Sequence, residues 1–236
     1  MSDYIYAGDS WALKGFTDDN WDRANHQPVD GDVLMADHWG MSYEHCLYPG
    51  HGNLEIMDRF LTMNVPADKP VIWIYTEPGR DFGRITGKEP FDWIKSEEIF
   101  NIRQELDVII LKTIRETIPN PISLVGGISD VNQPLAESLG FHVTHSSWQQ
   151  WMAKTLDREQ YFKFGWGAAD IGWRLDYNNV KPSKAALFAW DELIKEWCMW
   201  ADLGYMCHEH PTLRSNKEFA DFLRPNIINW ILYGKK

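Results

Sequence analysis

The segment PVIWIY, residues 70–75, constrains the fold more than any other part of the sequence. It is apolar at every position from Val71 to Tyr75, and it is bounded by Pro70 and Pro78. A strand with one face in water alternates apolar and polar residues, whereas a strand covered on both faces is apolar throughout. The segment therefore predicts an interior strand of a sheet that carries helices on both faces.

Three other short runs have the composition of strands and end at turn residues. DYIYA, residues 3–7, stops at Gly8, Asp9 and Ser10, and PISLV, residues 121–125, stops at two glycines. FHVT, residues 141–144, is a shorter fourth run. Such runs bounded by glycine and polar residues are typical of strands that lead into turns.

Between these runs the period changes to that of a helix. Apolar residues recur at three- and four-residue steps over residues 99–118, which predicts one long helix, and shorter helices are predicted at 53–63 and 134–139. Ser183 can cap a helix that ends near Leu203. Ser215 with Glu218 forms a capping-box pattern for a last helix, which Pro225 should kink or split. Alternating strands and helices predict a three-layer α/β/α fold with a mainly parallel sheet.

The length and composition favour one domain over residues 1–236. A chain of 236 residues with 44% hydrophobic content can bury one sizeable core. Two stretches, residues 17–41 and 146–177, show no clear period and are rich in tryptophan. Tryptophan serves either a core or a flat stacking surface. We expect both stretches to be excursions from the domain, with the second one near the ligand face.

Charge and cysteine content exclude several classes of protein. The net charge of −11 disfavours a nucleic-acid partner, since such proteins cluster Lys and Arg against phosphates. No apolar run approaches the length of a membrane span, and MSDYIYAGDS lacks the features of a signal peptide, so we expect a cytoplasmic protein. Cys46, Cys198 and Cys207 are odd in number and form no CxxC pair, which favours reduced thiols.

Ser10 is the first candidate for chemistry. Ligands of open parallel sheets bind beyond the carboxyl ends of the strands, and Ser10 follows the first predicted strand. A serine on such a turn can present its Oγ to a substrate and its amide to a developing oxyanion. The alternative is that Ser10 only caps the helix that follows.

Three motifs in order along the chain resemble those of the SGNH (GDSL-like) hydrolase family. YAGDSWA, residues 6–12, resembles the first family block, and HPT, residues 210–212, resembles the last one. YPGHGN, residues 48–53, looks like the second block, whose glycine amide joins the oxyanion hole. Similar GDSW-type sequences occur among phage-encoded proteins, which is compatible with a phage source.

The resemblance implies a flavodoxin-like SGNH architecture and a serine hydrolase that needs no cofactor. In this family's chemistry Ser10 would be the nucleophile and His210 the general base, and the amides of Ser10 and of Gly50 or Gly52 would stabilise the oxyanion. The implied substrate is a small acyl ester or an acylated sugar. The tryptophan-rich stretches are the reason for considering a sugar.

The sequence departs from the family at the acid of the catalytic triad. An aspartate usually stands two or three residues before the histidine, but those positions hold Cys207 and His208. Glu209 and Asp202 are the remaining candidates for the acid. A dyad, in which a backbone carbonyl orients the histidine, is the alternative.

A second departure follows the central strand, where the family often places an oxyanion asparagine. The corresponding residues are Thr76 and Glu77, and Arg80 follows shortly after. We expect an ion pair between Glu77 and Arg80, because an unpaired carboxylate would repel the oxyanion. Thr76 or a backbone amide would then donate a hydrogen bond to the oxyanion. Asp9 would also lie near the substrate.

Two other hypotheses compete with an esterase. The two departures favour a catalytically silent SGNH-fold binding or structural module, which could belong to a larger protein assembly. A zinc site could combine Cys207, His208 and His210 with His45, Cys46 or His51. The spacing of these residues matches no standard closed site, and we expect no metal.

Overall fold

A computed structural model describes most of the sheet and its flanking helices. The described residues are 2–9, 12, 21–22, 27–28, 34–76, 78–87, 99–127, 130–148, 151–152, 206–207, 210–211 and 213–234. For 21–22, 27–28, 99–104, 206–207, 210–211 and 213 the description covers the backbone only. The predicted helix at 183–203, and with it Cys198, lies outside these residues.

Five parallel strands form the central sheet. In spatial order they are β4 (Tyr43–Leu47), β1 (Tyr4–Gly8), β5 (Val71–Tyr75), β6 (Ile122–Gly126) and β7 (His142–His145). The sheet strands, counted in chain order, are thus arranged 2-1-3-4-5. Two short antiparallel pairs lie apart from the sheet: β2 (Trp21–Asp22) with β3 (Gln27–Pro28), and β8 (Met206–Cys207) with β9 (His210–Pro211).

Helices cover both faces of this sheet. The helices are α1 (Asn53–Thr62), α2 (Phe82–Thr86), α3 (Ile99–Thr117), α4 (Gln133–Ser138) and α5 (Leu213–Tyr233), with 3₁₀ helices at Met35–Trp39 and Pro78–Asp81. One hydrophobic cluster joins α1, α3 and α4 to one face, and a second cluster joins α5 and the 3₁₀ helix Met35–Trp39 to the other face. The predicted α/β fold with a parallel sheet is confirmed.

Alternation along each strand explains why the central run is apolar throughout. Ile72 and Ile74 of β5 lie in the cluster with α5, whereas Trp73 lies in the cluster with α1 and α3. All five residues of β5 are buried. Because both faces are covered, neither set of alternating positions can be polar.

One sheet strand, β4, escaped the sequence analysis. Its sequence YEHCL exposes Glu44 and His45 and buries only Cys46 and Leu47, so it has neither an apolar run nor a clear alternation. β4 lies at the edge of the sheet, where one side of the strand needs no strand partner. The strand runs in the sequence also predict that the strand of residues 4–7 lies inside the sheet, beside the strands of residues 71–75 and 121–125. The interior position of β1 and its pairing with β5 are confirmed. The pairing with β6 is wrong, because the other neighbour of β1 is β4 and β6 lies beyond β5.

The last helix differs from its prediction at its start, and it is not split at Pro225. It begins at Leu213, so Ser215 lies inside it and is buried, and Trp148 Nε1 donates to Ser215 Oγ at 3.2 Å. A hydroxyl with this tertiary contact does not form the predicted cap with Glu218. The helix also continues through Pro225, with Leu223 and Ile227 buried in the core on either side of it.

The three tryptophans of the two tryptophan-rich stretches whose side chains are described belong to the core. Trp39 and Trp148 are almost completely buried, and Trp151 packs beside them in the cluster with α5. Cys46 is a free thiol, and its burial raises its pKa to about 11. Among the described residues no helix is long and apolar enough to cross a membrane.

The order of the strands places a crevice between β1 and β5. The connection from β1 to β4 includes the 3₁₀ helix Met35–Trp39 on one face, whereas α3, which connects β5 to β6, lies on the other face. Loops that leave adjacent parallel strands toward opposite faces diverge, and ligands bind in the gap at the carboxyl ends of the strands. The residues that follow β1 and β5 are therefore expected to line the ligand-binding crevice.

We predict that Gly8→Ala destabilises the protein by about 1–3 kcal/mol, the usual cost of overpacking a core. A Cβ at Gly8 would lie 2.5 Å from the Cβ of Ala12 and 2.9 Å from that of Ile74. Urea unfolding measures the effect. Adding Ala12→Gly should restore part of the loss, and a penalty that is unchanged by this second substitution would contradict the close approach.

Candidate functional site

Asp9 is a completely buried carboxylate at the carboxyl end of β1, with 0% exposure. Thr76, directly after β5, donates its hydroxyl proton to Asp9 Oδ2 at 2.6 Å, and Arg80 Nη1 lies 3.4 Å from the same oxygen. Burying a charge is costly unless it is paired and hydrogen-bonded, and these two groups satisfy both conditions. The contacts join the ends of β1 and β5 across the crevice.

The chain turns back immediately after Asp9. The amide of Ala12 donates to Asp9 O at 3.1 Å, and Tyr6 donates its hydroxyl proton to Ala12 O at 2.7 Å. Tyr6 is a buried residue of β1, so its hydrogen bond anchors this turn to the hydrophobic core. Ser10, the predicted nucleophile, lies outside the described residues.

A second turn, residues 48–51, lies beside the end of β1. The amide of Tyr48 donates to Gly8 O at 2.9 Å, and the amide of His51 donates to Tyr48 O at 3.3 Å. Pro49 and Gly50 occupy the two central positions, and Gly50 has a φ of +77°. Proline followed by a residue with positive φ is the signature of a type II turn, which explains the PG pair of this motif.

The two predicted oxyanion glycines differ in what their amides do. Gly52 donates its N–H to Glu55 Oε2 at 3.1 Å, so this donor is engaged in capping α1. Gly50 is exposed, and no described residue accepts a hydrogen bond from its amide. Of the two candidates, Gly50 is the one whose donor remains available.

His51 is held in one orientation by its own turn. Its Nδ1 lies 2.8 Å from Pro49 O, and its ring stacks on Tyr48 with 3.4 Å between the ring centroids. The guanidinium of Arg59 lies 5.2 Å from the centroid of the Tyr48 ring. A carbonyl only accepts, so Nδ1 carries the proton and Nε2 of the neutral ring is an acceptor.

Asn53 connects α1 to the end of β5, a role that the sequence analysis missed. Its Oδ1 accepts from the amide of Thr76 at 3.1 Å and from Trp73 Nε1 at 3.2 Å, and its Nδ2 donates to Thr76 O at 3.0 Å. Asn53 is the last residue of the YPGHGN motif, but the family resemblance assigns a role only to the glycines of this motif. Its partners are about twenty residues away, which no local pattern reveals.

Asp81 provides a second connection between the same two segments. Its Oδ1 accepts from the amide of Leu54 at 3.1 Å, so a residue that follows β5 caps the helix that follows β4. The side chain is 1% exposed, and burial raises its pKa from 3.8 to about 7, although hydrogen bonds from the α1 amides oppose this shift. Its Oδ2 is buried, and no described residue forms a hydrogen bond with it.

The structure tests the predicted site only in part. It brings Asp9, Thr76 and Arg80 together and places the turn of Gly50 beside them. Glu77, Asp202, His208 and Glu209 lie outside the described residues, as does the predicted pair of Glu77 with Arg80; the described partner of Arg80 is Asp9.

The predicted general base is described by its backbone alone. His210 lies in β9, and its register partner in β8 is Cys207. Among the described side chains, no group of three or more His, Cys, Asp or Glu residues could hold a metal ion. The zinc alternative depends on Cys207, His208 and His210, whose side chains are not among them.

The chain matches no protein family model, and comparison with curated proteins and with solved structures also yields no significant match.

We predict that Gly50→Ala and Gly52→Ala destabilise the protein for different reasons. Alanine at position 50 meets nothing within 4 Å but must adopt a left-handed backbone, at about 1–2 kcal/mol. Alanine at position 52 would place its Cβ 2.3 Å from Asp81 Oδ1. Urea unfolding should show that Asp81→Ala reduces the Gly52→Ala penalty but not the Gly50→Ala penalty. If Asp81→Ala reduced both penalties equally, the steric explanation for Gly52 would be refuted.

We predict that Asp81 makes the protein less stable as the pH rises. Because its pKa is higher in the folded chain, the folded state binds the proton more tightly, and this stabilisation is present below pH 3.8 and lost as the pH rises through about 7. The loss in the free energy of unfolding is at most about 4 kcal/mol, the value for an ionised carboxyl that stays buried.

Urea unfolding of the wild type and of Asp81→Asn between pH 4 and 8 measures this loss. The stability of the wild type relative to Asp81→Asn should fall over this range. Asp221→Asn is the control, since a hydrogen bond from Lys217 lowers the pKa of Asp221 and its contribution has the opposite sign. A constant difference between the wild type and Asp81→Asn would contradict the prediction.

Proposed function

We propose that this chain is an SGNH-type serine hydrolase that cleaves a small acyl ester or the acyl group of an acylated sugar. The observation that carries the proposal is the buried Asp9, which Thr76 and Arg80 hold at the crevice between β1 and β5. Asp9 directly precedes Ser10 in the GDS motif. The motif thus begins at the location where a parallel sheet of this order binds its ligands.

In the proposed reaction Ser10 Oγ attacks the acyl carbonyl while His210 accepts the hydroxyl proton. The amides of Ser10 and Gly50 stabilise the oxyanion, and His210 returns the proton to the leaving alcohol. Water then attacks the acyl-enzyme and loses a proton to His210, which protonates Ser10 as the acid product leaves. A backbone carbonyl, Glu209 or Asp202 would orient the imidazole.

Arg80 supports the proposal through charge. Its side chain is 20% exposed, and Nη1, the atom that faces the fully buried Asp9 carboxylate, is itself buried. By offsetting the charge of Asp9, Arg80 removes the repulsion that an unpaired carboxylate next to Ser10 in the chain would exert on an oxyanion. Thr76 cannot replace the missing asparagine as a donor, because its hydroxyl proton is already directed at Asp9.

A second candidate function is a catalytically silent module with this fold, which binds a partner in a larger protein assembly. The observation in its favour is that polar groups near the crevice are engaged internally: Thr76 with Asp9, Asn53 with the end of β5, and Gly52 with Glu55. Such a set of contacts stabilises a loop cluster whether or not a reaction occurs there.

We predict that a fluorophosphonate probe labels Ser10 and that Ser10→Ala lowers p-nitrophenyl acetate hydrolysis by about 1,000-fold or more. The melting temperature should change little, because the substitution removes a single hydroxyl group. His210→Ala should have a similar effect on the rate. Ser138→Ala, an exposed serine on α4, is the control and should retain full activity. An unlabelled protein with equal background rates in all variants would favour the silent module.

A further inference from the structure

The loops after β4 and β5 are joined directly over the end of β1. In the sheet β1 lies between β4 and β5, so any contact between the two loops spans its carboxyl end. Asn53 and Asp81 both make such contacts, the first with Thr76 and the second with Leu54. We call these two side chains the brace.

The two members of the brace differ in how many of their side-chain polar atoms form hydrogen bonds. Asn53 uses both its oxygen and its nitrogen in hydrogen bonds. Asp81 uses only Oδ1, while its Oδ2 is buried without a hydrogen-bond partner in the part of the chain that the structure describes. A buried, half-satisfied carboxyl tolerates the neutral form much better than the charged form. Asp81 is therefore the member of the brace that responds to protonation.

The charged groups around Asp81 leave it without a close cation. On α1, Glu55 acts to raise its pKa, and on α2, Arg84 acts to lower it. Arg84 makes two hydrogen bonds to Asp58, at 2.6 and 3.1 Å. On α3, Asp107 accepts from the hydroxyl of Tyr75.

Across the crevice, Asp9 is paired with Arg80. The only described hydrogen-bond partner of the Asp81 carboxyl is therefore the N-terminus of α1. The turn of residues 48–51 precedes this helix end by one residue, Gly52, which packs directly against the carboxyl. A change in the charge of the Asp81 carboxyl would therefore act first on Gly52 and on the turn that precedes it.

We infer that Asp81 is a positioning residue: protonated, it holds the turn of residues 48–51 against the end of β1, and ionised, it releases the turn toward solvent. Release lets water reach Oδ2, which supplies the missing partner. The inference rests on the proposed function only in that the turn carries Gly50, the proposed oxyanion donor. Release would then lower kcat more than it raises KM, because an oxyanion donor acts in the transition state.

The experiment is a pH titration of the intact protein by NMR. We expect the Asp81 carboxyl carbon and the amides of Leu54, Gly52 and Gly50 to titrate together with one midpoint near pH 7. All proteins in this titration carry His51→Gln, because the imidazole between Gly50 and Gly52 is a second titratable group in the same turn. In Asp81→Asn the three amides should then not titrate, because the isosteric amide stays neutral. Asp221→Asn on the exposed side of α5 should leave all four signals as in the wild type.

Activity gives the second readout. The wild-type kcat should fall about tenfold per pH unit above the midpoint, as expected for a single ionisation, and Asp81→Asn should lack this falling limb. A Gly50 amide that does not follow the Asp81 carboxyl, or one that still titrates in Asp81→Asn, would overturn the inference. If Asp81→Asn does not fold, the wild-type titration of the four signals decides alone.

The two proposals fail separately. Lack of labelling at Ser10 would refute the hydrolase but would leave the linked titration of Asp81 and Gly50 intact. A labelled, active protein in which Gly50 ignores Asp81 would refute the positioning role and keep the hydrolase.

Discussion

The carboxylate of Asp9 is the interaction on which the carboxyl end of the sheet depends. A charge at 0% exposure must be neutralised and hydrogen-bonded, and Arg80 and Thr76 are the groups that do this. Both come from the segment after β5, so this segment has to lie close over β1. On the other side of Asp9 the chain turns at Ala12, and a Cβ at Gly8 would meet Ala12 and Ile74, so this position requires a glycine.

The loops around Asp9 are stabilised mainly by hydrogen bonds between side chains and backbone. The first amides of a helix and the last carbonyls of a strand have no partner within their own element. Asn53, Asp81 and Glu55 satisfy such groups at the start of α1 and the end of β5. Each of these contacts fixes the position of one loop relative to another, which is the rigidity that a preorganised site requires.

This arrangement has a chemical consequence for the crevice. Thr76, Asn53 and Gly52 are donors near the site, but each is engaged within the protein. The turn of residues 48–51, beside the end of β1, adds the amide of Gly50 and the imidazole of His51, whose Nε2 is an acceptor in the neutral ring. A ligand of this crevice would therefore meet a backbone donor and an imidazole.

The sequence by itself determined the layers of the fold. A short apolar run bounded by prolines, such as Val71–Tyr75, is typical of an interior strand, and the three- to four-residue period of α3 is typical of a helix with one face on a core. The family resemblance also directed attention to Asp9, Thr76 and Arg80, although it paired Arg80 with Glu77. Only the tertiary structure decided that β4 is an edge strand, that Arg80 pairs with Asp9, and that Ser215 serves the core. It also showed that Asn53 and Asp81 join two loops. The physical reason is that hydrophobic periodicity is a local property of the chain, whereas the partner of a buried polar group is chosen by which distant segments the sheet brings together.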